Sequence, residues 1–153
     1  MNSPRFDRFF NGATGHEPFD YQQRVAGGDS GEACQSQLIN IPTGLGKTAA
    51  VVLAWLWNRV VHSDVAHRNT WPRRLVYCLP MRTLVEQTQS NVHGWLQKLD
   101  NREWDKISSH ENKVGLHILM GGEDREKNPW DIYPEESAIL IGTQDMLSGN
   151  VLQ

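Results

Sequence analysis

Gln37-Leu38-Ile39-Asn40-Ile41-Pro42-Thr43-Gly44-Leu45-Gly46-Lys47-Thr48 leads without a break into Ala49-Ala50-Val51-Val52-Leu53-Ala54-Trp55-Leu56-Trp57. A short apolar run, a Gly-rich turn and a long apolar block read in that order as strand, loop and helix. The strand is expected at Gln37 to Ile41 and the helix from about Lys47 to Val61. That helix is apolar on nearly every face, so it should be deeply buried between a sheet and further structure. Working outward, Leu75 to Leu79 reads as a second strand stopped by Pro80, and Thr83 to Leu99 as a second helix. The helix carries Val85, Val92, Leu96 and Leu99 on one face of a 3.6-residue period. Val114 to Met120 and Ala138 to Ile141 complete the set as two more strands. Strands alternating with helices predict an α/β fold with a parallel sheet flanked by helices, because parallel strands need crossover connections.

The loop carries the sharpest chemistry. Gly44 and Gly46 permit backbone geometry that a side chain would obstruct, so amides can converge on phosphate oxygens at a helix N-terminus whose dipole favours anions. Lys47 adds a mobile positive charge for β- and γ-phosphates, and the Thr48 hydroxyl suits a magnesium ion bridging them. This is a P-loop. Thr43, Gly44, Leu45, Gly46, Lys47 and Thr48 are therefore the expected nucleotide-binding residues, with Lys47 and Thr48 in the catalytic role and Thr48 as the magnesium contact. The expected cofactors are ATP and magnesium. The full GxxxxGK[ST] pattern is not met, since Ile41 stands where its first glycine would be.

Pro42-Thr43-Gly44-Leu45-Gly46-Lys47-Thr48 resembles motif I of superfamily 2 helicases and translocases, in which that first glycine is commonly absent. Other segments follow the order of the same family. Pro18-Phe19-Asp20-Tyr21-Gln22 resembles the Q motif, whose glutamine amide reads the adenine edge by donating one hydrogen bond and accepting another. Gln22 fits by its place four after Pro18, with Gln23 as the alternative register. Leu79-Pro80-Met81-Arg82-Thr83-Leu84-Val85-Glu86-Gln87 resembles motif Ia, which implies nucleic-acid backbone contacts from Arg82 and Thr83. An ordinary helix N-cap at Thr83 is the competing reading. Gly121 and Gly122 match the glycine pair of motif Ib. Gly142-Thr143-Gln144-Asp145 resembles a later nucleic-acid-contacting segment, making Thr143 a phosphate donor or, on local grounds, a plain N-cap.

The resemblance also marks what these 153 residues do not contain. No Asp-Glu pair occurs, so the DExx motif that holds magnesium and activates water is missing and hydrolysis has no evident base. The second RecA-like domain, which would supply arginine fingers, is not among these residues either. The chain is expected to be the N-terminal part of a longer protein whose full length is an ATP-dependent helicase. As this chain, nucleotide binding without hydrolysis is the expectation.

Composition narrows the partners. Fifteen Lys and Arg against eighteen Asp and Glu leave a net charge of −3, so polyanion contacts must be local rather than driven by a global basic field. The longest apolar run, Ala49 to Trp57, is well short of the ~20 residues a membrane span needs, and no membrane partner is expected. Arg5, Arg8 and Arg24 interrupt the start of the chain, against a secretory leader and for a cytoplasmic location. Cys34 and Cys78 read as reduced thiols. None of the histidines at 16, 62, 67, 93, 110 and 117 forms the His-Asp pair of an HD phosphohydrolase. His62 and His67 read as a solvated helix terminus rather than a metal site. Trp55, Trp57 and Trp95 read as core.

Within superfamily 2, residues 13–24, the motif I segment and Gly142-Thr143-Gln144-Asp145 together resemble the CRISPR-associated helicase-nuclease of type I systems, closest to the type I-U branch. That resemblance implies residues 1–30 as an N-terminal segment bearing the Q-motif-like stretch and residues 31–153 as a partial first RecA-like ATP-binding domain. It further implies single-stranded DNA backbone as a partner, a CRISPR effector complex as another, and a role in antiviral defence. A different superfamily 2 motor, such as a DEAD-box RNA helicase or restriction translocase, and a non-catalytic nucleotide-binding module are the other two readings.

Overall fold

The computed structural model describes residues 5–27, 33–100, 104, 114–119 and 135–144. Five α-helices and three strands are formed by these residues: α1 Phe6–Thr14, α2 Asp20–Val25, α3 Lys47–Trp55, α4 Val65–Arg68, β1 Arg74–Leu79, α5 Arg82–Leu99, β2 Gly115–Leu119 and β3 Ala138–Thr143. The sheet has the order β1-β3-β2 and both pairings are parallel. Ala138, Ile139, Leu140 and Ile141 are all buried, so both faces of the central strand are covered, as a parallel sheet requires. The α/β architecture expected from the alternating pattern is therefore the one adopted.

Around β3 the core gathers Phe9 and Phe10 of α1, Val52, Leu53 and Trp55 of α3, and Val85, Val92 and Leu99 of α5. The apolar residues at helical spacing in α5 are the ones that turn inward, Leu96 packing at the margin. Trp55 is buried, and its indole N–H donates to the Pro72 carbonyl at 2.8 Å, satisfying the polar tip of a core tryptophan. Trp57 and Trp95 pack against the same cluster.

Helix α3 continues as π-helical turns over Leu56–Val61, with the His62 amide bonded to the Trp57 carbonyl five residues back. Asn58 gives a local cause. Its side-chain Nδ2 donates to the Ala54 carbonyl at 2.8 Å, competing for an acceptor of the α-helical ladder. The same nitrogen donates to the Ala26 carbonyl at 2.9 Å, so one buried amide ties the end of α2 to this helix.

Two expectations need correction here. Gln37 to Ile41 forms no strand; residues 33–42 carry no regular structure, and Leu38 is 96% exposed. A strand needs a ladder partner, and no strand among the described residues pairs with this segment. Nor is His67 a solvated helix terminus: it is buried, and its Nε2 lies 2.7 Å from Asn58 Oδ1. Because Nδ2 of Asn58 donates twice, Oδ1 must accept, which makes Nε2 of His67 the donor.

Candidate functional site

The P-loop opens where α3 begins. Gly44 and Gly46 both hold positive φ, 89° and 73°, and Gly46 is the N-cap of α3. The left-handed geometry turns the chain so that the first turn of α3 starts at Lys47 with its free amides facing the loop. Thr43, Gly44, Leu45, Gly46 and Lys47 are exposed, as a surface that receives a ligand must be, and Thr48 is half-buried.

Helix α2 grips this loop from the side. Gln22 sits in its first turn, 2% exposed; its Oε1 accepts from the Phe19 amide at 2.8 Å, and its Nε2 donates to the Gly46 carbonyl at 2.9 Å. The Gly46 carbonyl also accepts the first helical bond from Ala50, at 3.0 Å, so both of its lone pairs are engaged. Beside Gln22, the Tyr21 hydroxyl donates to the Leu45 carbonyl. Two neighbouring residues thus hold two successive P-loop carbonyls across twenty-four residues of sequence. Burial pushes the Tyr21 phenol above its usual pKa, with the Gln22 side chain acting in the opposite direction. Gln23, the alternative register, is exposed.

Next to this junction lies a cleft of about 630 Å³ whose walls include Phe19, Gln22, Gly44, Gly46, Ala49 and Trp95. Its size is that of a small-molecule pocket. Phe19 is 54% exposed and lies nearly parallel to Tyr21, the ring centroids 6.3 Å apart. The Gln22 amide, engaged by Phe19, Gly46 and the Tyr21 phenol, forms part of the cleft wall.

On the other side of the loop, Thr48 Oγ1 lies 2.9 Å from Tyr77 Oη, in the middle of β1. This contact ties the start of α3 to β1. Among the described residues no group of three His, Cys, Asp or Glu side chains is placed to hold a metal. The Thr48 hydroxyl, at the start of α3, is a hard oxygen of the kind that suits a magnesium ion held largely by phosphates. The His67 Nε2 is directed to Asn58, and the His62 Nδ1 accepts from the Asp64 amide at 3.1 Å.

Among the described candidate nucleic-acid residues, Thr143, last in β3, lies beside the strand end that precedes Arg82 and Thr83, since Leu79 and Thr143 are partners in the β1–β3 register. Helix α5 begins at Arg82 with Met81 as its N-cap; Thr83 is inside the first turn and is not the cap, which corrects that alternative. Arg82 makes an ion pair with Glu86 at 3.7 Å, 64% exposed, an attraction that solvent leaves weak and a phosphate could replace. Gly121 and Gly122 lie outside the described residues. Tyr21 lies within the Q-motif-like segment but carried no role in the sequence reading, and Tyr77 had no signal beyond its place in the second strand.

Compared with known families, the chain matches the DEAD/DEAH box helicase family over residues 23–153. No curated protein and no solved structure matches. The chain belongs to the DEAD/DEAH box helicase family, one of the superfamily 2 helicases, a family of ATP-binding proteins.

Proposed function

We propose that this member of the DEAD/DEAH box helicase family binds ATP with magnesium as the ATP-binding portion of a DNA helicase or translocase acting in CRISPR interference. Residues 1–30 then supply the Q-motif-like grip, and residues 31–153 part of a first RecA-like domain. The observation that carries the ATP reading is the loop before α3, with Gly44 and Gly46 at positive φ and its Leu45 and Gly46 carbonyls held by Tyr21 and Gln22 beside the cleft.

The chemistry follows from the residues. Amides at the start of α3 and the Lys47 ammonium meet the β- and γ-phosphates, a charge-assisted set reinforced by the helix dipole. Magnesium, when bound, neutralises phosphate charge, with Thr48 the chain's oxygen ligand. The adenine base enters the cleft, where the Gln22 amide lines the wall and Phe19 offers a ring for stacking. Arg82, Thr83 and Thr143, with Gly121 and Gly122, contact phosphates of single-stranded DNA and read no bases. The DNA and CRISPR parts of this reading rest on the resemblance of residues 13–24, motif I and residues 142–145 to the type I helicase-nuclease.

Calorimetry tests the ATP part. Wild type should bind ATP and ADP, and a folded Lys47→Ala variant should bind about tenfold or more weakly, since a charge facing phosphate is commonly worth a few kcal/mol. Equal affinities would overturn the assignment. Lys47→Ala in the full gene product should abolish type I interference in a plasmid-challenge assay. Retained interference, or binding of RNA in strong preference to DNA, would favour another superfamily 2 motor.

A further inference from the structure

Thr48 and Tyr77 stand on different elements, twenty-nine residues apart, with their hydroxyl oxygens 2.9 Å from each other. Thr48 is the second residue of α3 and Tyr77 the fourth of β1, in register with Ile141 of the central strand. The Tyr77 side chain packs against the core, so its phenol oxygen is presented to the P-loop from a fixed wall. A threonine hydroxyl has one hydrogen and two lone pairs, and it rotates to suit its neighbours. A hard cation takes lone pairs and is repelled by an outward hydrogen.

We propose that Tyr77 is a positioning residue for Thr48: its phenol oxygen accepts a hydrogen bond from the Thr48 hydroxyl and leaves both Thr48 lone pairs turned away from the sheet, toward the magnesium of a bound nucleotide. This rests on the reading of Thr48 as the magnesium ligand and adds the group that orients it. Magnesium demands near-ideal octahedral geometry, so an oxygen ligand that points correctly beforehand is worth more to it than a freely turning one. The opposite direction, with the phenol donating to Thr48, engages one lone pair and turns the Thr48 proton outward. Partners behind metal ligands commonly change metal affinity by about 10- to 100-fold when removed.

The test measures ATP affinity of the full chain by calorimetry, with magnesium and with excess chelator, and takes the ratio as the magnesium enhancement. Tyr77→Phe keeps the ring in the core, and should leave the magnesium-free affinity unchanged while cutting the enhancement about tenfold. Thr48→Ala should abolish the enhancement, and adding Tyr77→Phe to it should remove nothing more. The cycle cancels any loss of stability common to both backgrounds, so the coupling stays readable. Enhancement untouched by Tyr77→Phe, or an equal fall in both affinities, overturns the positioning role. If Thr48→Ala itself leaves the enhancement intact, the assignment of Thr48 fails and this proposal with it. If Thr48→Ala abolishes it and Tyr77→Phe leaves it unchanged, only the Tyr77 role fails.

Discussion

Replacing Gly46 by alanine should damage this protein more than replacing Gly44, although both glycines hold positive φ. At Gly44, φ is 89° and a Cβ would meet nothing within 4 Å, so alanine there bears only the left-handed backbone penalty, about 1–2 kcal/mol. At Gly46, φ is 73° and the Cβ would sit 2.6 Å from Gln22 Nε2. The end of a glutamine side chain can usually swing aside, but this one is 2% exposed and bonded at both ends. Moving it forfeits both bonds, about 1 kcal/mol each. Gly46→Ala should therefore cost about 3–4 kcal/mol and Gly44→Ala about 1–2, a gap of roughly 2. In urea, with a slope of about 2 kcal/mol per molar, that gap is a difference in midpoint of about 1 M. Gln22→Ala provides the internal control: it should cost about 2 kcal/mol in wild type and almost nothing further in the Gly46→Ala background. Equal midpoints for the two glycine variants, or full additivity of Gln22→Ala with Gly46→Ala, would refute the account of α2 as the brace of the P-loop.

Other outcomes follow from the same geometry. Gln22→Ala should reduce discrimination between ATP and GTP in competition binding, whereas Gln23→Ala, on an exposed position, should leave it intact; the reverse pattern would shift the register by one. Asn58→Leu removes the bonds to Ala26, Ala54 and His67 together and should destabilise by about 3 kcal/mol or more, read as a denaturation midpoint; a neutral result would deny Asn58 its linking role. Burial lowers the His117 pKa below its ordinary 6.5, with Glu136 opposing and Arg74 assisting. The unfolded chain then takes the proton more readily, so this contribution to stability is complete above about pH 6.5 and declines as pH falls toward the folded value. His117→Gln should flatten the fall in midpoint between pH 7.5 and 5.5; an unchanged slope would mean other groups carry it. Binding of single-stranded DNA should be weak, should weaken further with salt and should vary little with sequence, and Arg82→Ala should lower it uniformly in a fluorescence titration; tight, salt-independent binding would contradict the phosphate-edge reading.

The local parts of this protein were legible in its residue order. Apolar periodicity set α3 and α5 and the strands that became β1, β2 and β3, because turn, spacing and burial at those positions are decided within a few residues. The P-loop was legible for the same reason: two glycines, a lysine and a threonine at the mouth of a helix specify their own geometry. Pairing was not legible. Gln37 to Ile41 has a strand's composition, yet a strand exists only when another edge supplies its hydrogen bonds, and that is not a property of five residues. His67 looked solvated because nothing nearby in the chain announces Asn58 as its buried acceptor. Tertiary structure alone brought Gln22 onto the Gly46 carbonyl, Tyr77 onto Thr48, and Thr143 beside the strand end that leads to Arg82. Those contacts cross loops and sheet, so they depend on how the apolar faces pack together, which no window of sequence contains.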